Sequence, residues 1–160
     1  MGKSVKFSYK SVSECECVRA KASNVPVKFK NLVETANAVR GMSVRRADNY
    51  LKNVLKKVEC VPFKKFRGGI GKCAQAKQFK TVIGRWPVNS SKCVRDLLRN
   101  AVSNAEFFGK DPDIMYIYHI QVNQAPVSVR KTFRAHGRID SYERHSSHIQ
   151  MILKEQDPFK

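Results

Sequence analysis

Two alternating stretches near the end of the chain bracket a segment that cannot bury itself. In DIMYIYHIQVNQAP, Ile114, Tyr116, Tyr118, Ile120 and Val122 fall at every second position; in HIQMILKE, Ile149, Met151 and Leu153 do the same. A period of two is the signature of a half-buried strand. Between them, Ser128 to Ser147 holds few large apolar residues, has Gly137 near its middle and reads as the outer part of a hairpin. From Ile114 to Arg134 an extended chain reaches up to roughly 65 Å at about 3.3 Å per residue. A globule of this length has a radius of gyration of only about 15 Å. A hairpin over about 120–150 therefore has to project from the body and lie against another surface.

The chemistry of that arm is basic. KTFRAHGRIDSYERHSSH, residues 131–148, contains His136, His145 and His148 among Lys131, Arg134, Arg138 and Arg144. Metal histidines come with cysteine or carboxylate partners at tight spacing. Here the nearest acids are Asp140 and Glu143, and four cations repel a metal ion, so neither a metal nor a cofactor is expected. GGIGKC, Gly68 to Cys73, fails the phosphate-loop spacing and lacks the hydroxyl that such a loop needs. No nucleophile motif such as G-x-S-x-G occurs, and no catalytic residue is expected.

The charge balance selects the class of partner. The 160 residues carry 31 Lys and Arg against 13 Asp and Glu, a formal charge of +18. Such a charge weakens the compact state by self-repulsion unless a polyanion neutralises it, and a soluble surface needs only about 2 to 8. Nucleic acid is the first candidate and an anionic membrane surface the second. No run of about 18 apolar residues exists to span a membrane, and the N-terminus shows no signal-peptide core. Gly2 is followed by Lys6 where a myristoylation motif has Ser or Thr. Five cysteines without C-x-x-C spacing read as reduced thiols rather than a disulfide or zinc framework.

The rest of the chain reads as one domain over 25–155, flanked by tails at 1–24 and 156–160. VPVKF, Val25 to Phe29, reads as a short strand. Leu32, Val33, Ala36 and Val39 mark a helix capped by Asn31 and stopped by Gly41. A second, capped by Ser43, aligns Val44, Ala47, Tyr50, Leu51, Val54 and Leu55 opposite Arg45, Arg46, Lys52 and Lys56. Residues 59–89 sustain no period and interleave bases with aromatics and glycine, as a functional or disordered loop does. A third helix, capped by Ser90 or Ser91 and ended by Gly109, stacks Val94, Leu97, Leu98, Ala101, Ala105 and Phe108. The expected architecture is α/β of the α+β type, three helices on a small antiparallel sheet with a protruding β-hairpin.

Arginine beside aromatic and glycine, in segments without a core, suits RNA, where cations meet phosphates and flat groups stack on unpaired bases. The candidate RNA-binding residues are Arg130, Lys131, Arg134, His136, Gly137, Arg138 and Arg144 in the hairpin. In the body and loop they are Arg45, Arg46, Lys64, Lys65, Arg67, Lys72, Lys77, Arg85 and Trp86. No RNP1-like strand or KH clamp appears, so recognition by the shape of a folded RNA is expected.

Several blocks resemble a known family: KNLVETANAVRGMSVRRADNYL, CVPFKKFRGGIGKCAQAKQFK, GRWPVNSSKCVRDLLRNAVSNAE, HIQVNQAPVSVRKTFRAHGRI and SSHIQMIL. They look like the universal large-subunit ribosomal protein that is number twenty-two in bacteria and seventeen in eukaryotes. The likeness runs from about Ala22 to Glu155, and the block from about Glu59 to Asn89 resembles the insertion of the archaeal and eukaryotic branch. It implies three helices on a three-stranded sheet, and a hairpin that enters the ribosomal RNA and reaches the wall of the nascent-peptide exit tunnel. The implied tip is Arg134 to Arg138, between shafts 127–133 and 141–147. The implied partners are that RNA, neighbouring ribosomal proteins and the nascent peptide, in the cytoplasm with nucleolar assembly in a eukaryote. VSVRK before the tip is poorer in arginine than is usual in the eukaryotic branch, and Asp140 and Glu143 lower the charge of the returning strand. A free basic RNA chaperone or assembly factor, and an RNA-acting enzyme using the three histidines, are the rival readings.

Overall fold

In a computed structural model, residues 7–9 and 17–155 are described. Three strands form the central antiparallel sheet: β1 (Cys17–Val25), β4 (Met115–Gln124) and β7 (Ser147–Glu155). β7 is the middle strand, with β1 and β4 on either side. Three helices, α1 (Phe29–Val39), α2 (Val44–Leu55) and α3 (Val88–Phe107), complete the body. Their buried faces meet Val18, Ala20, Met115, Ile117, Ile120, Ile149, Met151 and Leu153 of the sheet in one core. Each fully buried Leu, Ile or Val side chain contributes about 1.5–3 kcal/mol relative to exposure.

Most of the apolar positions read from the helices are buried: Leu32, Ala36 and Val39 on α1; Val44, Ala47, Tyr50, Leu51 and Val54 on α2; Val94, Leu97, Leu98, Ala101 and Ala105 on α3, whereas Val33 and Leu55 are only half-buried. Ser43 caps α2, accepting from the Arg46 amide at 3.4 Å. Phe108 departs from the expected stripe. It stands one residue beyond α3 and is 64% exposed, edge-on to Phe107.

Both helix starts fall earlier than expected. α1 begins at Phe29, with Lys28 in the cap position instead of Asn31. The strand expected at Val25–Phe29 is a turn: Val25 ends β1, and the Val27 amide donates back to the Val25 carbonyl at 2.8 Å. Pro26 lacks the amide that a ladder needs. Val27 is buried, and its carbonyl accepts from the Ser147 hydroxyl at 3.0 Å. α3 begins at Val88 after Pro87. Proline pre-sets φ for helix entry, so Ser90 and Ser91 lie buried in the first turn rather than at a cap.

The segment expected as an N-terminal tail also changes. Cys17 to Asn24 belongs to β1, an edge strand pairing with β7 from Cys17↔Lys154 to Ala22↔Ile149. Residues 7–9 lie on the sheet's other face, where the Tyr9 ring stacks on His119 at 4.5 Å and the Ser8 amide donates to Gln150. Charged and small polar residues masked a strand whose only residues fully in the core are Val18 and Ala20, with Ala22 and Val25 packed at its edge. The rest of that tail, and the tail at 156–160, lie outside the described residues.

β4 carries a phase change. Met115 and Ile117 are buried, then Ile120, while Tyr116 and Tyr118 face the other side. The pairing jumps from Ile117↔Leu153 to His119↔Ile152, leaving Tyr118 as the extra residue of a bulge. The expected face of Ile114, Tyr116 and Tyr118 is therefore not the core face. Beyond Gln124↔Ser147 the ladder narrows to a neck, Ala125 N–H donating to the Ser146 carbonyl at 3.1 Å. It resumes as β5 (Ser128–Phe133) against β6 (Ile139–Arg144), paired from Ser128↔Arg144 to Phe133↔Ile139. Every residue of β5 and β6 is exposed. The arm beyond the neck is thus six pairs long, about 20 Å, and the rest of the expected length is built into the body sheet.

The loop at 59–89 is ordered by short elements. β2 (Val61–Pro62) pairs with β3 (Gly84–Arg85), and a tight helix of about two turns spans Ala74–Phe79. Among the described residues no helix is long and apolar enough to cross a membrane.

Candidate nucleic-acid interface

The hairpin register sorts its side chains onto two faces. Ser128, Arg130 and Thr132 share one with Asp140, Tyr142 and Arg144; Val129, Lys131 and Phe133 share the other with Ile139, Ser141 and Glu143. Arg130 stands directly opposite Tyr142, with Arg144 next on the same face. That face offers guanidinium planes and a phenol ring to a flat, anionic polymer. The opposite face carries Lys131 beside the exposed Phe133 and Ile139.

The tip is closed by two consecutive left-handed residues, His136 at φ 58° and Gly137 at φ 69°. Gly137 supplies this conformation without a Cβ penalty, and histidine is among the side chains that tolerate it. The Arg134 amide donates to the Arg138 carbonyl at 2.8 Å, and its guanidinium pairs with Asp140 at 2.9 Å. Arg134 is thus engaged within the arm, whereas Arg138 points its charge outward without a described partner. The three histidines are not gathered. His136 makes the turn, His145 lies 3.7 Å from Glu143, and His148 Nδ1 accepts from the Asn24 amide at 3.2 Å. Among the described residues no group of three His, Cys, Asp or Glu side chains stands close enough to hold a metal ion.

In the body the two predicted arginines of α2 are committed to acids. Arg45 forms a two-pronged pair with Asp113. That hydrogen bond raises the arginine's pKa and holds the Asp113 carboxyl below its usual range. Arg46 pairs with Glu59 at 2.9 Å and lies 5.6 Å over the Tyr50 ring, tying the start of the basic loop to α2. Tyr50 secures the same junction by donating its hydroxyl to the Cys60 carbonyl at 2.9 Å, and burial pushes its pKa far up.

The loop's cations are presented by a residue that sequence reasoning passed over. Glu34 on α1 is 1% exposed, and its carboxylate accepts three successive amides: Lys64 at 3.1 Å, Lys65 at 2.8 Å and Phe66 at 2.7 Å. An acid amid bases reads as a surface charge; its buried role depends on a backbone nest thirty residues later. With its amides gripped inward, Lys64, Lys65 and Arg67 expose their side chains. Lys30 and Lys65 lie over the Phe66 ring at 5.9 and 5.6 Å. Lys72 and Lys77 are exposed farther along, Arg85 donates to the Gly69 carbonyl at 3.2 Å, and the half-buried Trp86 donates to Gln75 at 3.0 Å. Trp86 and Arg144, predicted from separate stretches, line one cleft where the arm meets the body, together with His145, weighed from the sequence only as a metal or acid/base group, and with Lys28 and Tyr142, which the sequence did not single out. The arrangement provides exposed cations and ring faces on rigid supports.

Comparison with known proteins bears on this surface. The model of the family described as ribosomal protein L22p/L17e matches residues 20–154. A protein of Maconellicoccus hirsutus named large ribosomal subunit protein uL22 is 51% identical over 159 residues, 99% of this chain and 84% of the relative. The like-named protein of Phlebotomus papatasi is 52% identical, covering 87% of this chain and 75% of the relative. That of Drosophila melanogaster is 47% identical, covering 95% and 82%. These relatives are insect proteins, which sets the chain beside the eukaryotic rather than the archaeal members.

Proposed function

The chain belongs to the ribosomal protein L22p/L17e family, a non-enzymatic component of the large ribosomal subunit, and from that premise we propose how its surface serves there. The body seats on ribosomal RNA through the loop cations Lys64, Lys65 and Arg67, presented where Glu34 grips the backbone at 64–66, and through Lys72, Lys77 and Arg85 farther along. The hairpin threads between RNA segments, using Arg130, Lys131, Arg138 and Arg144, and its tip at His136 and Gly137 reaches the wall of the nascent-peptide exit tunnel. Arg45, Arg46 and Arg134 act at one remove, since each is already paired with a carboxylate. The ribosome carrying it is cytoplasmic, assembled in the nucleolus.

The observation that carries this reading is the arm: twelve strand residues, all exposed, with no core of their own and a cationic face. A structure of that kind is stable against a neutralising surface and idle without one. About six to ten phosphate contacts would lose about 10³ to 10⁵ in affinity between low and moderate salt, on duplex-DNA slopes. A photoreactive amino acid at position 136, in ribosomes carrying a stalled peptide, tests the tunnel placement. Crosslinks to the nascent peptide are expected from position 136 and not from the exposed Val58 of the body; their absence at 136 removes the tunnel from the reading.

A further inference from the structure

The neck of the hairpin leaves a cleft of about 510 Å³ between arm and body. Its body wall includes Lys28, Trp86 and Asn89; its arm wall includes Tyr142, Arg144 and His145. Each wall therefore brings an aromatic ring and a permanent cation, and the body adds a side-chain amide able to donate and accept. The start of α3, Val88 to Ser90, borders the same space, and no side chain caps that helix end, whose dipole favours an anion. Glu143 is the acid among the lining groups, and it stands 3.7 Å from His145. Volumes of about 300–1,000 Å³ suit a small ligand. Two rings with two fixed cations and an amide match the parts of one nucleotide: a base face to stack, a phosphate to neutralise and a base edge to read.

We infer that this cleft takes a single unpaired nucleotide of RNA, held between Trp86 of the body and Tyr142 of the arm, with Lys28 and Arg144 on its phosphate. The inference rests on the RNA-binding reading and deepens it. Because one wall is body and the other is arm, the inserted nucleotide also sets the angle at which the hairpin leaves the neck. The body's cations alone hold RNA at the surface; the wedge gives the arm a direction.

Trp86 is the chain's single tryptophan, so its emission reports on this cleft. The full chain is titrated with a short single-stranded oligoadenylate and, separately, with an RNA duplex, while gel retardation on large-subunit RNA follows overall binding. The single strand is expected to quench Trp86 and the duplex to leave it unchanged. Tyr142→Ala is expected to weaken the quenching titration about tenfold, the loss of one stacking partner, while Tyr142→Phe keeps it. Tyr142 is 65% exposed, so the truncation leaves the fold intact, which circular dichroism checks. Unchanged Trp86 emission under a saturating single strand, equal quenching by the duplex, or wild-type behaviour of Tyr142→Ala overturns the cleft. Failure of the chain to retard large-subunit RNA at all overturns the underlying RNA reading instead.

Discussion

Replacing Glu34 by alanine removes one carboxylate from three amides at once. The side chain is buried and its acceptor distances to Lys64, Lys65 and Phe66 are 3.1, 2.8 and 2.7 Å. Hydrogen bonds to a charged acceptor contribute about 1.5–3 kcal/mol each, a gross sum of about 4.5–9 kcal/mol. The loop is at the surface, so water takes over part of that role, and a net loss of about 3–5 kcal/mol is expected. Against a total stability of about 5–15 kcal/mol this endangers the body. Glu34→Gln is therefore the better probe. It keeps the shape and one oxygen but aims an NH₂ group at donors, for a loss of about 2–3 kcal/mol. Denaturant titration measures the global change. Hydrogen exchange over 61–70 measures the local one, with amides 64–66 opening about 30- to 100-fold more readily, since each 1.4 kcal/mol is about tenfold. Wild-type exchange at these amides together with a stability change below about 1 kcal/mol refutes the claim that Glu34 holds the basic loop in place.

Tyr50→Phe leaves the buried Cys60 carbonyl without its phenol donor and is expected to cost about 1–3 kcal/mol in urea titration, with the loop start loosening first. Asp48 bridges Lys52 on its own helix and Arg95 on α3; partial burial pushes its carboxyl up, but the hydrogen bonds from those two cations outweigh it and hold the carboxyl below its usual range. A depressed carboxyl stabilises above its unfolded value and loses that contribution as pH falls through the folded one. Asp48→Asn should therefore flatten the Tm profile below about pH 4, by less than about 1 kcal/mol for a partly exposed pair. Deleting residues 134–138 takes away only exposed tip residues, so Tm of the body is expected to hold within a few degrees by calorimetry, while subunit assembly or tunnel geometry changes.

What could be read from the sequence follows from the range of the interactions involved. The stripes of α2 and α3 are local and periodic, and Leu51, Val54, Leu97 and Leu98 are where the spacing puts them. β7 is legible because Ile149, Met151 and Leu153 keep one phase throughout. β4 is not, because the bulge at Tyr118 inverts the phase halfway, and a bulge is specified by pairing with a distant strand. β1 escaped because an edge strand of alternating Ala and Lys buries little of itself. The arm was legible as a region without a core. Its division into an Arg130–Tyr142–Arg144 face and a Phe133–Ile139 face depends on register, which only the pairing reveals. The pairing of Arg45 with Asp113 and of Arg46 with Glu59 joins residues far apart in sequence, so both arginines read as open cations until the fold brought their acids to them. Glu34 is the extreme case, a charge whose partners are backbone atoms.

The most direct measurement is sedimentation of a native cell extract through a sucrose gradient at moderate salt, with this chain followed across the fractions. Near-complete co-migration with the large subunit, retained after a salt wash that strips loosely held basic proteins, is the result expected of a component threaded into ribosomal RNA. A chain found mostly at the top of the gradient, or released by that wash, contradicts the account.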